Sequence, residues 1–195
     1  MSLIIAVKSG DTVYMGADTQ STAGDWKVFS NQPAERKIQR MQSGLLVAHA
    51  GPVRNAQIVQ AEQGLFTVPA DGPLTKRYIV ENIIPRLYRC YRENGLFKEE
   101  SDGYPRPRIP DAYLLAWQDR LYEISGVLHV KVLEHYGIIG AGRDVVSCGV
   151  EGINDQAPIP EQILDSLRVG SAHVTSVGGP YYLIDTKHQK FSLRK

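Results

Sequence analysis

The sequence predicts an α+β fold in which two β-sheets pack face to face between outer helices, a four-layer αββα sandwich. Three observations lead to this prediction. The chain begins with a β-hairpin pattern, pairs of strand patterns then alternate with pairs of helical patterns, and strand patterns close the chain. This order is typical of two packed sheets whose outer faces are covered by helices. A chain of 195 residues has the length of one domain, and we expect a single domain over 1–195.

Composition and charge narrow the class of protein. Hydrophobic residues make up 43% of the chain and charged residues 22%, as in ordinary globular proteins. The net charge of +1 gives no basis for bulk electrostatic binding to nucleic acid or to an anionic membrane. No apolar run approaches the roughly 20 residues of a membrane-spanning helix, and no signal peptide precedes Ser2. We therefore expect a cytoplasmic protein in which Cys90 and Cys148 are free thiols.

The first eighteen residues predict a β-hairpin. Apolar runs at 3–7 and 13–17 flank a turn that contains Gly10. The first strand begins after the hydroxyl residue Ser2, and the second ends in the carboxylate Asp18. An antiparallel hairpin brings the start of one strand beside the end of the other, so Ser2 and Asp18 should be neighbours.

Ser2 is a candidate nucleophile. A serine hydroxyl attacks a carbonyl only when a base takes its proton, and a free α-amine, whose pKa is about 8, can be that base. This chemistry requires removal of Met1, for which a small second residue such as serine is suited. The alternative is that Ser2 is simply the small second residue common in cytosolic proteins.

After the first hairpin, the sequence predicts an exposed loop at 21–33. A second hairpin is then predicted from the apolar runs at 38–41 and 45–50. The second hairpin leads into a helical pattern at 52–63.

Three residues beside the second hairpin could carry chemistry. Gly51 lets the backbone approach a substrate and can point its N–H at an oxyanion, or it is an ordinary turn glycine. Lys37 can lower the pKa of a nucleophile or relay a proton, or it belongs to a solvated basic strand edge. Strand alternation would let Lys37 face inward while Arg36 stays in water. We expect His49 to be buried, either in the core or on the floor of a cleft.

The rest of the chain alternates helical and strand patterns. Residues 75–94 predict a long helix that Pro85 should kink, and its interleaved arginines and tyrosines favour a solvated amphipathic face over an RNA-binding one. Residues 95–110 predict a polar loop. The remaining strands are expected at 112–118, 121–125, 136–139, 181–184 and 191–193, and the remaining helices at 143–150 and 160–169.

Three motifs in the first third of the chain together resemble the proteasome β-subunit and HslV-like family of N-terminal nucleophile hydrolases. The stretch LIIAVKSGDTVYMGADTQST is similar to the family's N-terminal hairpin, ERKIQRM carries Lys37, and LLVAHAGPVRNAQ carries Gly51. The resemblance covers about residues 2–62. It implies the αββα fold of N-terminal nucleophile hydrolases.

The resemblance also implies a catalytic set. Ser2 stands where the family has its N-terminal threonine, and Asp18, sixteen residues later, where it has its aspartate. Lys37 takes the place of the catalytic lysine and Gly51 that of the oxyanion glycine. The residues expected to contact substrate are Gln20, Thr22 and His49, with Trp26 facing either the cleft or a neighbouring subunit.

Two regions depart from the family pattern. The family's glycine-serine-glycine turn, which puts a serine near the nucleophile, contains Ala141 here. The late stretch SAHVTSVGGP lacks the family's aspartate, although Ser176 and His173 could support the terminal amine instead.

The function implied by the resemblance is peptide-bond hydrolysis in protein degradation. The implied partners are an unfolded polypeptide or peptide substrate, further copies of the chain in stacked rings, and an ATP-dependent unfoldase. Neither a metal nor an organic cofactor is required. Two alternatives remain open: a catalytically silent, ring-forming subunit, and an amidase of the same fold that acts on small molecules.

Overall fold

A computed structural model describes residues 2–23, 25–30, 32–62, 64–97, 108–150 and 157–195. These residues form a mixed α/β fold with two five-stranded antiparallel sheets, a two-stranded ribbon and a small number of helices. None of the helices within this described part is both long and apolar enough to cross a membrane.

The first sheet contains both ends of the described chain. Its order is β10-β1-β2-β11-β12, so the N-terminal strand lies between its hairpin partner and a strand from late in the sequence. The predicted N-terminal hairpin is confirmed, with Gly10 at a φ of 59° in its turn. The strands are β1 (Leu3–Ser9), β2 (Thr12–Asp18), β10 (Tyr136–Gly140), β11 (Tyr181–Asp185) and β12 (Ser192–Arg194).

The second sheet follows the chain order, β5-β6-β7-β8-β9. Because each strand pairs with the next one, short turns suffice to connect most of them. The strands are β5 (Ile38–Arg40), β6 (Leu46–Ala50), β7 (Ala112–Trp117), β8 (Arg120–Ile124) and β9 (Val130–Leu133).

The helices include one segment whose winding changes along its length. One long helical segment is continuous and changes winding: two α-helical parts flank a π-helical turn, Ile79–Ile83, that directly precedes the part containing Pro85. This turn lies where the sequence predicts a kink, because proline removes a backbone donor and crowds the preceding turn. The helices are α1 (Val53–Ala61), α2 (Lys76–Tyr78), α3 (Ile84–Glu93), α4 (Arg143–Val150) and α5 (Ile159–His173).

Three clusters of buried side chains pack the sheets and helices together. Residues of β1 alternate between two of the clusters, because successive side chains of a strand point to opposite faces. Ile4 and Ala6 pack against the second sheet, whereas Leu3 and Ile5 pack against α4 and α5. The third cluster joins the other face of the second sheet to α1, α3 and the π-helical turn.

The structure corrects three predictions. The predicted loop at 21–33 contains the two-stranded ribbon β3 (Gln20–Ala23) and β4 (Trp26–Phe29) and the 3₁₀ turn Pro33–Glu35. Strand β9 was not expected. Lys37 precedes β5 and is not part of the strand. The predicted loop at 95–110 lies mostly outside the described residues.

Candidate functional site

Asp18 forms the centre of the candidate site, at the end of β2. Its side chain has no exposed surface. Oδ1 accepts hydrogen bonds from the Leu3 N–H at 2.8 Å and from Lys37 Nζ at 2.8 Å, and Oδ2 accepts one from the Gly178 N–H at 3.3 Å. One carboxylate therefore connects the backbone next to Ser2 with Lys37 and with a segment late in the chain.

Lys37 lies deep in the site, with only 10% of its side chain exposed. Besides Asp18, its ammonium group donates to the Gln20 carbonyl oxygen at 2.6 Å. Burial lowers the pKa of Lys37 and raises the pKa of Asp18, and the attraction between the two charges opposes both shifts. Such a lysine loses its proton more readily than a solvated one, and the Asp18 carboxylate opposes that loss.

Backbone contacts fix the position of Ser2, which is 6% exposed. Its carbonyl oxygen accepts a hydrogen bond from the Ala141 N–H at 2.7 Å. Gly140 has a φ of 99°, and a Cβ at this position would overlap the Ser2 carbonyl oxygen. The turn in which the family has a serine thus lies against Ser2, and Ala141 contacts it through the backbone.

Gln20 is buried and holds the late segment 174–178 against β2. Its side-chain amide donates to the Thr175 carbonyl oxygen at 2.9 Å, and a Cβ on Gly178 would overlap Gln20 Oε1. The substrate-binding role expected for Gln20 remains a prediction, and the structure gives its side chain a packing role.

The two candidate supporting residues differ in their surroundings. Ser176 is buried, and within the described part of the chain its hydroxyl has no hydrogen-bond partner. His173 is the exposed last residue of α5. Ser176 lies two residues before Gly178, whose N–H contacts the Asp18 carboxylate.

A cavity of about 140 Å³ borders Lys37 and His49. Its other walls are mainly apolar and come from β5, β6, β7, α1 and the segments that follow β5 and α1. They include Met41, Val47, Val59, Leu65, Phe66 and Tyr113. A mainly apolar lining with a few polar groups is typical of binding pockets. Thr22 is half-buried on β3, and 79% of Trp26 is exposed.

Sequence reasoning missed a second buried carboxylate, Asp111. It lies directly before β7, beside Gly51 at the end of the neighbouring strand β6. Asp111 contacts His49 Nε2 at 2.5 Å, Asn55 Nδ2 at 2.7 Å and the Tyr91 hydroxyl at 2.6 Å. The only signal in the sequence is a carboxylate directly before a fully apolar run. Among the described residues, no group of three histidine, cysteine or acidic side chains could hold a metal ion.

Comparisons with known proteins found similar structures but no match to a family model or a curated protein. The structure is similar to that of Thiobacillus denitrificans BPH, with a TM-score of 0.74 and 14% identity over 94% of this chain and 96% of that one. BPH has also been solved in complex with epoxomicin, with a TM-score of 0.70, the same 14% identity, and coverage of 94% and 97%.

Two further similar structures come from other organisms. HslV from Trypanosoma brucei has a TM-score of 0.62 and 18% identity over 94% of this chain and 98% of that one. Anbu (ancestral beta-subunit) from Yersinia bercovieri has a TM-score of 0.70 and 15% identity over 98% and 86%. The resemblance predicted from the sequence is therefore confirmed, and the chain has the fold of the proteasome β-subunit and HslV-like family of N-terminal nucleophile hydrolases.

Proposed function

We propose that the chain is a subunit of a proteasome-like peptidase that hydrolyses peptide bonds with Ser2 as its nucleophile, after removal of Met1. The observation that carries this proposal is the Asp18 carboxylate, which binds the Leu3 N–H, the Lys37 ammonium group and the Gly178 N–H together. Such an arrangement brings a cation close to the backbone that follows Ser2, where a terminal nucleophile needs one.

The proposed reaction has two steps. Ser2 Oγ forms a bond to the substrate carbonyl carbon while its proton passes to the freed α-amine of the same residue, through a water molecule. The carbon–nitrogen bond then breaks, and the α-amine delivers that proton to the leaving amine. Water hydrolyses the resulting ester, which releases the second product and restores the hydroxyl. Positioned acid–base groups typically contribute about 10²–10⁴-fold to such rates.

Lys37, Asp18 and Gly51 have separate roles in this proposal. Lys37 lowers the pKa of the Ser2 hydroxyl, and Asp18 orients Lys37 and keeps it protonated. The Gly51 N–H stabilises the oxyanion that forms on the substrate carbonyl, a contribution of about 10²–10³-fold for one donor. The buried Ser176 hydroxyl supports the α-amine, and the cavity beside His49 receives a substrate side chain.

The proposals for the domain, the oligomer and its partners are taken from the family that the sequence resembles. We propose one domain with the four-layer αββα order, which the three hydrophobic clusters support. Stacked homo-oligomeric rings would admit unfolded polypeptides in the cytoplasm, with an ATP-dependent unfoldase as a further partner.

The test is an intact mass spectrum after incubation with a peptide epoxyketone such as epoxomicin, the compound bound in the similar BPH structure. We expect loss of the Met1 mass and one adduct on the wild-type chain. Ser2→Ala should form no adduct, and Lys37→Ala should lose most of the rate. Ser166→Ala is the matched control, because Ser166 is equally buried on α5 and donates to the Gln162 carbonyl oxygen away from the site.

The silent ring-forming subunit is the second candidate, and Ala141 favours it because the family's serine hydroxyl is missing there. Retained Met1 with no adduct on the wild type would support this alternative and contradict the peptidase. The third candidate, a small-molecule amidase, would form the adduct but have the solution mass of a monomer or dimer.

A further inference from the structure

The network around Asp111 is separate from the Asp18–Lys37 pair. Its carboxylate has no exposed surface, and a buried charge of this kind is costly unless several donors compensate it. Three side chains do so: His49 from β6, Asn55 from the first turn of α1, and Tyr91 from α3. The first turn of a helix adds a favourable field for a negative charge.

The donors around Asp111 determine where the protons lie. The Asn55 amide and the Tyr91 hydroxyl both donate to Oδ2. Burial raises the pKa of Tyr91, so its hydroxyl keeps the proton that it donates. Oδ1 faces His49 Nε2, and an ionised carboxylate can only accept there. The proton of the neutral imidazole is therefore on Nε2, which leaves Nδ1 as the acceptor.

The His49 ring also packs against an aromatic ring and borders the cavity. Its centroid lies 5.1 Å from that of Tyr113, with the two rings tilted by 45°. His49 shares the cavity wall with Lys37. The ring is therefore fixed at one nitrogen by Asp111, while 11% of the side chain remains exposed.

Gly51 passes close to the same hydrogen bond. A Cβ at residue 51 would overlap Asp111 Oδ1 and lie 3.0 Å from His49 Nε2. The backbone that would present the oxyanion donor thus packs directly on the His49–Asp111 contact. A change in the position of this carboxylate would move Gly51, and an error of about 1 Å in a donor can reduce a rate by about 100-fold.

We propose that Asp111 is a positioning residue of the site, which fixes the His49 ring as its Nε2–H tautomer and holds the Gly51 turn in place. The effect on Gly51 rests on the proposed peptidase function, because only a reaction at Ser2 uses that N–H. The effect on the His49 ring does not depend on catalysis.

The first arm of the test measures the tautomer directly from ¹⁵N chemical shifts of the histidine rings in a pH series. At the alkaline end of the series, wild-type His49 should be the Nε2–H tautomer, and its signals are assigned by their loss in His49→Gln. In Asp111→Asn the amide can donate to Nε2, so the ring should change to the Nδ1–H tautomer. Mixed tautomers in the wild type, or an unchanged tautomer in Asp111→Asn, would overturn the proposal.

The second arm measures the rate of epoxyketone adduct formation and separates the maximal rate from the probe concentration at half-maximal rate. Asp111→Asn should lower the maximal rate about 10- to 100-fold with little change in the half-maximal concentration. Glu123→Gln is the matched control: Glu123 is another buried carboxylate, on β8, paired with Arg143 at 3.5 Å. An equal loss in both variants, or none in Asp111→Asn, would contradict positioning of Gly51.

The two arms separate this inference from the proposed function. If the wild type forms no adduct, the peptidase fails and the histidine spectrum alone decides the role of Asp111. If Asp111→Asn does not fold, the wild-type spectrum still decides the tautomer, and Tyr91→Phe replaces it in the rate measurement. Tyr91→Phe removes one donor to Oδ2 and should slow the adduct by a smaller factor than Asp111→Asn is expected to.

Discussion

Asp18 and Lys37 form a buried ion pair whose two charges are compensated mainly by each other. The pair also receives the Leu3 and Gly178 N–H groups and donates to the Gln20 carbonyl oxygen. Removing one partner of a buried pair leaves the other charge without compensation, which typically costs about 3–5 kcal/mol. The pair is therefore a structural element as well as a candidate catalytic one.

Replacing Lys37 should make stability depend strongly on pH. In Lys37→Met, burial still raises the pKa of Asp18, and the cation that opposes this shift is gone. The folded chain then binds more protons than the unfolded chain above the ordinary aspartate pKa of about 4, so stability is greatest below that pH and falls as pH rises. We expect a loss of about 3–5 kcal/mol at neutral pH and a smaller loss near pH 4, measured by urea denaturation.

Lys187→Met serves as the control for this prediction. Lys187 pairs with Asp11 at 3.3 Å, but both side chains are more than half exposed, and exposed ion pairs contribute little to stability. A Lys37→Met variant with the same small loss at both pH values would mean that Asp18 does not depend on the lysine for its charge.

The candidate site residues that the sequence could indicate lie in local patterns. Asp18 and Gly51 follow or end apolar strands and Lys37 directly precedes one, so spacing and resemblance were enough to propose them, and their roles stay predictions. Asp111 contacts residues 20 to 62 positions away, and no short pattern encodes those contacts.

At the scale of elements, two glycines allow α5 to lie close against the first sheet. A Cβ on Gly170 would overlap Leu3 Cδ2 and lie 3.3 Å from Val146 Cγ2. A Cβ on Gly16 would overlap Ile163 Cγ2. The helix therefore contacts β1 directly behind the residue whose N–H binds Asp18.

Gly170→Ala should destabilise the fold by about 1–3 kcal/mol, because the new methyl group overpacks the contact between α5 and β1. Thermal unfolding measures this loss. Val169→Ala on the same helix is the control, since Val169 is exposed and surface changes usually stay within about 0.5 kcal/mol. Equal melting temperatures for the two variants would show that α5 can move away from β1 without cost.

The elements that sequence missed are short or irregular. The ribbon β3–β4 has four residues in each strand and polar residues among its apolar ones, so it lacks the alternation typical of a half-buried strand. The π-helical turn at Ile79–Ile83 has the same apolar periodicity as the α-helix around it, and periodicity cannot indicate the change in winding. The longer strands were predicted from their apolar runs, which are buried on both faces in β1 and β6, and the helices from their apolar periodicity.

At the scale of the whole molecule, the ribbon β3–β4 exposes several large apolar side chains. Trp26 is the most exposed, and Val28 and Phe29 are each about half exposed. Exposed apolar groups that cluster in this way often mark protein contacts. The ribbon is therefore the part of the described surface that we expect a second copy of the chain to cover.

Trp26→Ser should weaken the proposed homo-oligomer. A buried interface tryptophan often contributes about 2 kcal/mol, so association should become roughly 30-fold weaker, as measured by sedimentation over a concentration series. Val132→Ser, at an exposed apolar site on β9, should leave association unchanged. A wild-type chain that sediments as a monomer at all concentrations would contradict the oligomer.

The contacts of Asp18 and Ser2 have a consequence for biosynthesis. Asp18 is held by Gly178, which lies 160 residues later, and the Ser2 carbonyl oxygen is held by Ala141. The ribosome adds about 5–20 residues per second, and domains generally fold as units. The N-terminal hairpin is therefore synthesised many seconds before the residues that it contacts late in the chain. The proposed peptidase would therefore lack its complete site until residue 178 has emerged from the ribosome.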